Sequence, residues 1–143
     1  MAITQLSVYL ANQPGTLSAA ISAISEAGIN IRALSLADTR DFGILRLITS
    51  DIEATKTALT ERAIATETPV LAVKMSDRAG ALNSILRALE KAGINIEYVY
   101  AFTSNIAGAA YVVLRVNNIA EAESVLHADG IETLSDEDLS GML

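Results

Sequence analysis

The residues able to do chemistry are few: one histidine, some paired carboxylates, and a set of glycines and asparagines that recur. His127 is the only histidine, and it precedes "ADG" near the end of a helical pattern. A cation there suits a helix dipole, and one terminal His assembles no Ser/His/Asp set. Glu121 and Glu123 fall on solvated helix faces. The chain has no cysteine, no His/Cys metal spacing and no Gly-rich phosphate loop. The sequence therefore implies no catalytic centre, no metal and no cofactor, and the chain is expected not to be an enzyme. Acylphosphatases share the strand order deduced below, but "NQPG" (12–15) lacks their Arg-bearing phosphate loop, while Arg78 in "DRAG" is a weak hint at an anion.

The recurring residues carry more. Gly15 and Gly80 each lie where a strand pattern turns into a helix pattern. A helix N-terminus presents free N–H groups and partial positive charge, which suits a carboxylate, and glycine lets a ligand approach the backbone. Asn30 and Asn95 open the second strand of each half, expected to lie next to the first. A side-chain amide there carries both a donor and an acceptor and could read an α-amino or amide group. The plainer reading is that the glycines only permit the turn and the Asn side chains close a Gly-Ile-Asn helix cap.

These residues recur because the chain is duplicated. "EAGINI" (26–31) and "KAGINI" (91–96) stand 65 positions apart, and 12–43 matches 77–108 at nine of 32 positions. Chance would give about two. Gly43 falls on Gly108 in this register, and "DIEATKTAL" (51–59) meets "NIAEAESVL" (118–126) at a shift of 67, so the second copy has gained two residues around its third strand.

One unit reads as strand 6–10, turn 12–15, helix from Thr16 to a Gly28 cap, strand 29–37, hairpin turn "DTRDFG" (38–43), strand 44–49, a helix capped by Asp51, and strand 63–67. The second reads as strand 70–75, helix 80–92, strand 94–102, strand 109–116, helix 119–127 and strand 131–134. The tail "SDEDLSGML" begins with an N-cap, Ser135, and acids suited to a short docked helix. The fold expected is α+β: two tandem ferredoxin-like βαββαβ units, 1–68 and 69–143, with antiparallel sheets and helices on one face. Pro69 marks the boundary.

Composition bounds the rest. Hydrophobic residues make up 51% and charged ones 19%, the balance of a folded chain. "MAITQLSVYL" reads as a strand and not as a signal peptide, and no run is long enough to span a membrane, so a soluble, cytoplasmic protein is expected. Net charge is −7, which opposes binding to nucleic-acid phosphates. Tyr98, Tyr100 and Phe102 share one strand face, as in RNA-stacking βαββαβ domains, but Lys74 and Arg115 alone make no basic groove. Mean hydropathy is +0.38 and "AAYVVLRV" is apolar at both alternations. One sheet face must then be covered by something other than helices, by sheet-to-sheet contact or by dimerisation, and a homodimer or higher oligomer is expected.

"NQPGTL…AGINI" and "DRAGAL…AGINI", each inside βαββαβ, resemble the ACT domain, the small-molecule-sensing module of amino-acid metabolism. The pair is similar to small stand-alone tandem ACT proteins of bacteria. The second motif departs with Ala79 where proline is usual. The resemblance implies a regulatory, allosteric protein that binds an amino acid at an interface between two ACT units. By position, the ligand-binding residues would be Asn12, Pro14, Gly15, Thr16, Leu17, Asn30 and Ile31, and Asp77, Ala79, Gly80, Ala81, Leu82, Asn95 and Ile96. Asp77 in place of Asn12 would make the two sites unequal. The alternatives are a protein–protein interaction or oligomerisation module without a ligand, and single-stranded RNA binding on the sheet face.

Overall fold

The computed structural model describes residues 2–38, 40–102 and 107–141. The chain divides into two compact units, Thr4–Thr68 and Pro69–Leu143, the latter joined by the residues up to Ile3.

In the first unit, the alternating apolar run of β1 (Ile3–Ala11) leads to α1 (Thr16–Glu26), β2 (Ile31–Asp38), β3 (Phe42–Thr49) and α2 (Ile52–Leu59). Strand order is β2-β3-β1, and β1 then neighbours β4 (Ile64–Ser76). Ser7 Oγ lies 3.4 Å from Thr68 Oγ1 on β4. Ladders are antiparallel: Leu6 faces Leu47 and Leu10 faces Gly43 across β1 and β3, and Leu34 faces Leu47 across β2 and β3. Leu6, Val8, Leu45 and Leu47 alternate inward to meet Ala20 and Ile24 of α1 and Leu59 of α2 in one apolar core. Such alternation on strands, with helical spacing on the covering helices, buries one sheet face.

The second unit repeats the plan. It uses the second part of β4, then α3 (Ala81–Lys91), β5 (Ile96–Phe102), β6 (Ala109–Val116), α4 (Ile119–Ala128), β7 (Thr133–Leu134) and α5 (Asp136–Gly141). Strand order is β5-β6-β4, with β7 pairing β4. Leu71, Val73, Val112, Leu114 and Val116 meet Ile85, Leu89 and Leu126 in its core. The opposite face of this sheet is also buried at Val70, Ala72 and Val113, as two-sided apolarity requires.

Three details differ from the sequence reading. The strands at 63–67 and 70–75 are one strand running through Pro69. The strand expected at 131–134 shrinks to Thr133–Leu134, because Ile131 donates its N–H to Leu126 O and Gly130 to His127 O, closing α4. The Gly43–Gly108 identity is a coincidence: β3 and β6 correspond at a shift of 67, which pairs Gly43 with Ala110. Gly43 is a buried strand residue, whereas Gly108 precedes β6 at φ 79°. The two added residues therefore fall in the hairpin connection, between Phe102 and Ala109. Of the turn "DTRDFG", Thr39 lies outside the described residues, as do 103–106 and the last two residues of the tail.

The outermost strands leave apolar side chains open. Leu34 and Leu36, on the core side of β2, are each 48% exposed, and Val99 of β5, equivalent to Leu34, is 42% exposed. The helices reach the central strands and leave these edges uncovered.

Candidate functional site

Four helices divide into two kinds by how they begin. α2 and α4 are closed by side chains: Asp51 accepts from Ala54 N at 3.0 Å, and Asn118 from Glu121 N at 3.1 Å. α1 and α3 begin at Gly15 (φ 87°, ψ −12°) and Gly80 (φ 90°, ψ −13°) with no side-chain cap bond. Thr16 N donates to Gln13 O and Ala19 N to Gly15 O, which leaves the amides of Leu17 and Ser18 without a backbone acceptor among the described residues. Ala81 N and Ser84 N repeat this with Arg78 O and Gly80 O, leaving Leu82 and Asn83 in the same state. A Cβ built at either glycine meets nothing within 4 Å, so the corners are open, and glycine is there for its left-handed backbone.

Around these corners Asn12, Pro14 and Gly15 are exposed, as are Asp77, Ala79 and Gly80. Thr16 differs from Ala81 in having a hydroxyl, and that hydroxyl faces the scaffold: Oγ1 donates toward Ala11 O at 2.7 Å and Gln13 O at 3.0 Å. Leu17, Ile31, Leu82 and Ile96 are half-buried and pack on the two cores.

Asn30 and Asn95 are exposed, but not where the sequence reading put them. β3 lies between β1 and β2, so the second strand is not next to the first. Asn12 N donates to Asp41 O just before β3, while Asn30 N donates to Ser50 Oγ just after it. Those anchors flank a strand of eight residues, about 27 Å at roughly 3.4 Å each. In the second unit, Asp77 N bonds Gly108 O and Asn95 N bonds Asn117 Oδ1, at opposite ends of β6. A helix corner and an asparagine of one unit therefore cannot hold the two ends of one small molecule.

The helix-cap reading of the asparagines also fails, for a local reason. Gly28 N donates to Ser25 O and Ile29 N to Ile24 O, and Gly93 and Ile94 do the same with Glu90 and Leu89. Backbone amides close both helices in a Schellman motif, with Ile29 and Ile94 buried against the helix they end. Among the described residues the Asn30 and Asn95 side-chain amides have no hydrogen-bond partner, so they stay available. Ser50 and Asn117, which hold these asparagines from behind, were missed by the sequence reading. Their shift of 67, one residue before each N-cap, was the available signal.

The other candidates are absorbed by structure. His127 Nε2 pairs with Thr133 Oγ1 at 2.8 Å, and that hydroxyl reaches Glu123 Oε2 at 3.3 Å, tying α4 to β7. Tyr98 stacks on Tyr100 with centroids 6.4 Å apart, and Phe102 on Tyr111 at 5.1 Å. Arg115 contacts Glu97 at 3.5 Å and donates to Pro69 O at 2.8 Å. Among the described residues no group of three or more His, Asp or Glu could hold a metal, and no helix is long and apolar enough to cross a membrane.

Comparison with known proteins agrees with this geometry. A family model described as "ACT domain pair" matches residues 1–143. Protein BT0572 from Bacteroides thetaiotaomicron is 34% identical, with a TM-score of 0.89 over 98% of this chain and 96% of that one. The regulatory subunit of aspartate kinase from Thermus thermophilus, in its ligand-free form, is 18% identical, with a TM-score of 0.61 over 87% and 90%. The aspartokinase alpha and beta subunits give 20% identity and 0.60 over 90% and 92%. These last two likenesses establish the fold alone. No curated protein matches the sequence.

Proposed function

The chain belongs to the ACT domain pair family, and we propose that it is a non-catalytic regulatory protein that senses an amino acid at an interface between ACT units of two copies of the chain. The observation that carries this reading is the twin pair of open, glycine-begun helix ends, set against asparagine amides that only another unit could bring alongside them. The helix end takes the carboxylate, and the asparagine reads the amino group. Open Leu34, Leu36 and Val99 supply apolar edges for a homodimer. A ligand that prefers one dimer arrangement shifts the population toward it, which is how binding becomes regulation.

A thermal-shift screen over the twenty amino acids tests this. At a hundredfold excess over Kd, binding adds about 2.7 kcal/mol of stability. The ligand found should bind Gly15→Leu at least tenfold more weakly than wild type, and Gly28→Leu, equally left-handed at φ 74°, should bind as wild type. Equal losses in both variants would assign the effect to strain. The exposed apolar edges also favour a second reading, an interaction module without ligand. Silence in the screen together with a stable complex in pull-down would select it. The stacked rings and the tied Arg115 leave single-stranded RNA little to bind, and RNA binding would show as a strongly salt-dependent shift.

A further inference from the structure

No charged side chain precedes Glu26, so α1 reaches its last residue without one. Ser18, Ser22 and Ser25 are exposed, and spacings of four and three align them on one outer row of the helix. Leu17 and Ile21 flank that row half-buried. With Glu26 these residues line a groove of about 550 Å³ along α1. An exposed helix face ordinarily carries charged side chains opposite the core. α2 exposes Glu53 there, α3 exposes Arg87, Glu90 and Lys91, and α4 exposes Glu121. Arg87 and Glu90 stand at the places equivalent to Ser22 and Ser25, so a helix of the same plan forms with charge on this row. Serine is a weaker helix former than arginine or glutamate, and helix formation therefore does not favour it in α1.

We propose that this face of α1 is an interface with α1 of a second copy of the chain, the two helices packing antiparallel about a two-fold axis at Ser22. Three observations select that occupant. Each copy has a net charge of −7, so two copies meet with least repulsion through a face almost free of charge. The face is self-complementary, as an isologous contact requires. Ser18 and Glu26 lie four residues on either side of Ser22, so each Glu26 comes level with the first turn of the other helix. The helix dipole favours a carboxylate there, and Glu26 has no ion-pair partner in its own chain among the described residues. Small side chains also let the helix axes close to about 8–10 Å. One helix face, about 16 Å long, is smaller than a permanent interface, so the contact is reversible. It involves neither the sheet edges at Leu34, Leu36 and Val99 nor the asparagines of the ligand reading.

The chain has no cysteine, so Ser22→Cys places a single thiol in each copy. With axes about 8–10 Å apart and Cα atoms about 2.3 Å from each axis, the two thiol-bearing positions come within reach of a disulfide, which spans roughly 4.4–6.8 Å between Cα atoms. Mild oxidation of the full chain should therefore give a covalent dimer at least tenfold faster with Ser22→Cys than with Arg87→Cys, its counterpart on α3. Ser22→Arg installs the residue that α3 accommodates. It should keep the circular dichroism of the wild type and halve the mass of the largest species sedimenting at high concentration. Adding Leu34→Arg, which disrupts the sheet edge, should leave the Ser22→Cys cross-link in place. Equal cross-linking of the two thiols, unchanged sedimentation of a folded Ser22→Arg protein, or loss of the cross-link on adding Leu34→Arg would overturn the assignment. Silence in the amino-acid screen would remove the ligand reading and leave this contact standing.

Discussion

The first and second units share a backbone and differ in what they present to solvent. Both open α1 and α3 with a left-handed glycine, close them with backbone amides, and cap the following helix with a side chain. They part company at Gln13 and Arg78, Tyr9 and Lys74, and Asn12 and Asp77, all at the same end of their sheets. They also finish differently: the first runs on into β4, whereas the second stops at two-residue β7 and turns into α5. The backbone features that begin and end the helices are held in common, and the exposed side chains around them diverge.

Four experiments would break or sharpen that comparison. The largest effects belong to the shared cores: Ile24 and Leu89 occupy equivalent, fully buried places. Ile24→Ala and Leu89→Ala should each cost about 2–5 kcal/mol in urea unfolding, and a large gap between them would show that the units do not bear stability alike. Next come Gly15→Ala and Gly80→Ala, where a Cβ finds free space but the backbone is left-handed. Each should lose about 1–2 kcal/mol, and a loss at one corner only would end their equivalence. Asp51→Ala and Asn118→Ala should lose about 1 kcal/mol each, measured the same way.

The smallest effect separates the units. Ser135 N–H, and then the Ser135 hydroxyl, hold the Asp138 carboxyl below its ordinary range. A depressed folded pKa means the contribution is complete above the unfolded aspartate pKa and is lost as pH falls through the lower folded value. Protection of the Ser135 and Asp138 amides, relative to their intrinsic exchange rates, should therefore fall only in that acid window, and in Asp138→Asn it should be low throughout. The first unit, which has no such helix, should show no matching transition at Thr68.

Much of this was legible in the residues. Leu17, Ala20, Ile21 and Ile24 at helical spacing, the cap at Asp51 and the alternation of 109–116 each describe their own few residues, and each element formed there. The open helix corners were legible too, because glycine after a strand and before an apolar helix leaves the N-terminus without a side-chain cap. The asparagines were half legible. Their exposure followed from their place at a strand start, but their distance from the corners did not, since it depends on β3 inserting between β1 and β2. The matched Gly43 and Gly108 misled because an identity in sequence register need not survive an insertion in the turn before it.

The sequence by itself determined the duplication, the type and order of the elements, and which side of each faces a core, since periodicity and capping act within a few residues. Tertiary structure alone decided that Asn12 and Asn30 are anchored at opposite ends of β3, that strands 63–67 and 70–75 are continuous, and that Arg78 overlooks a cleft. Strand order and cavities arise from pairing between distant segments, and no local pattern of side chains encodes which neighbour a strand will take.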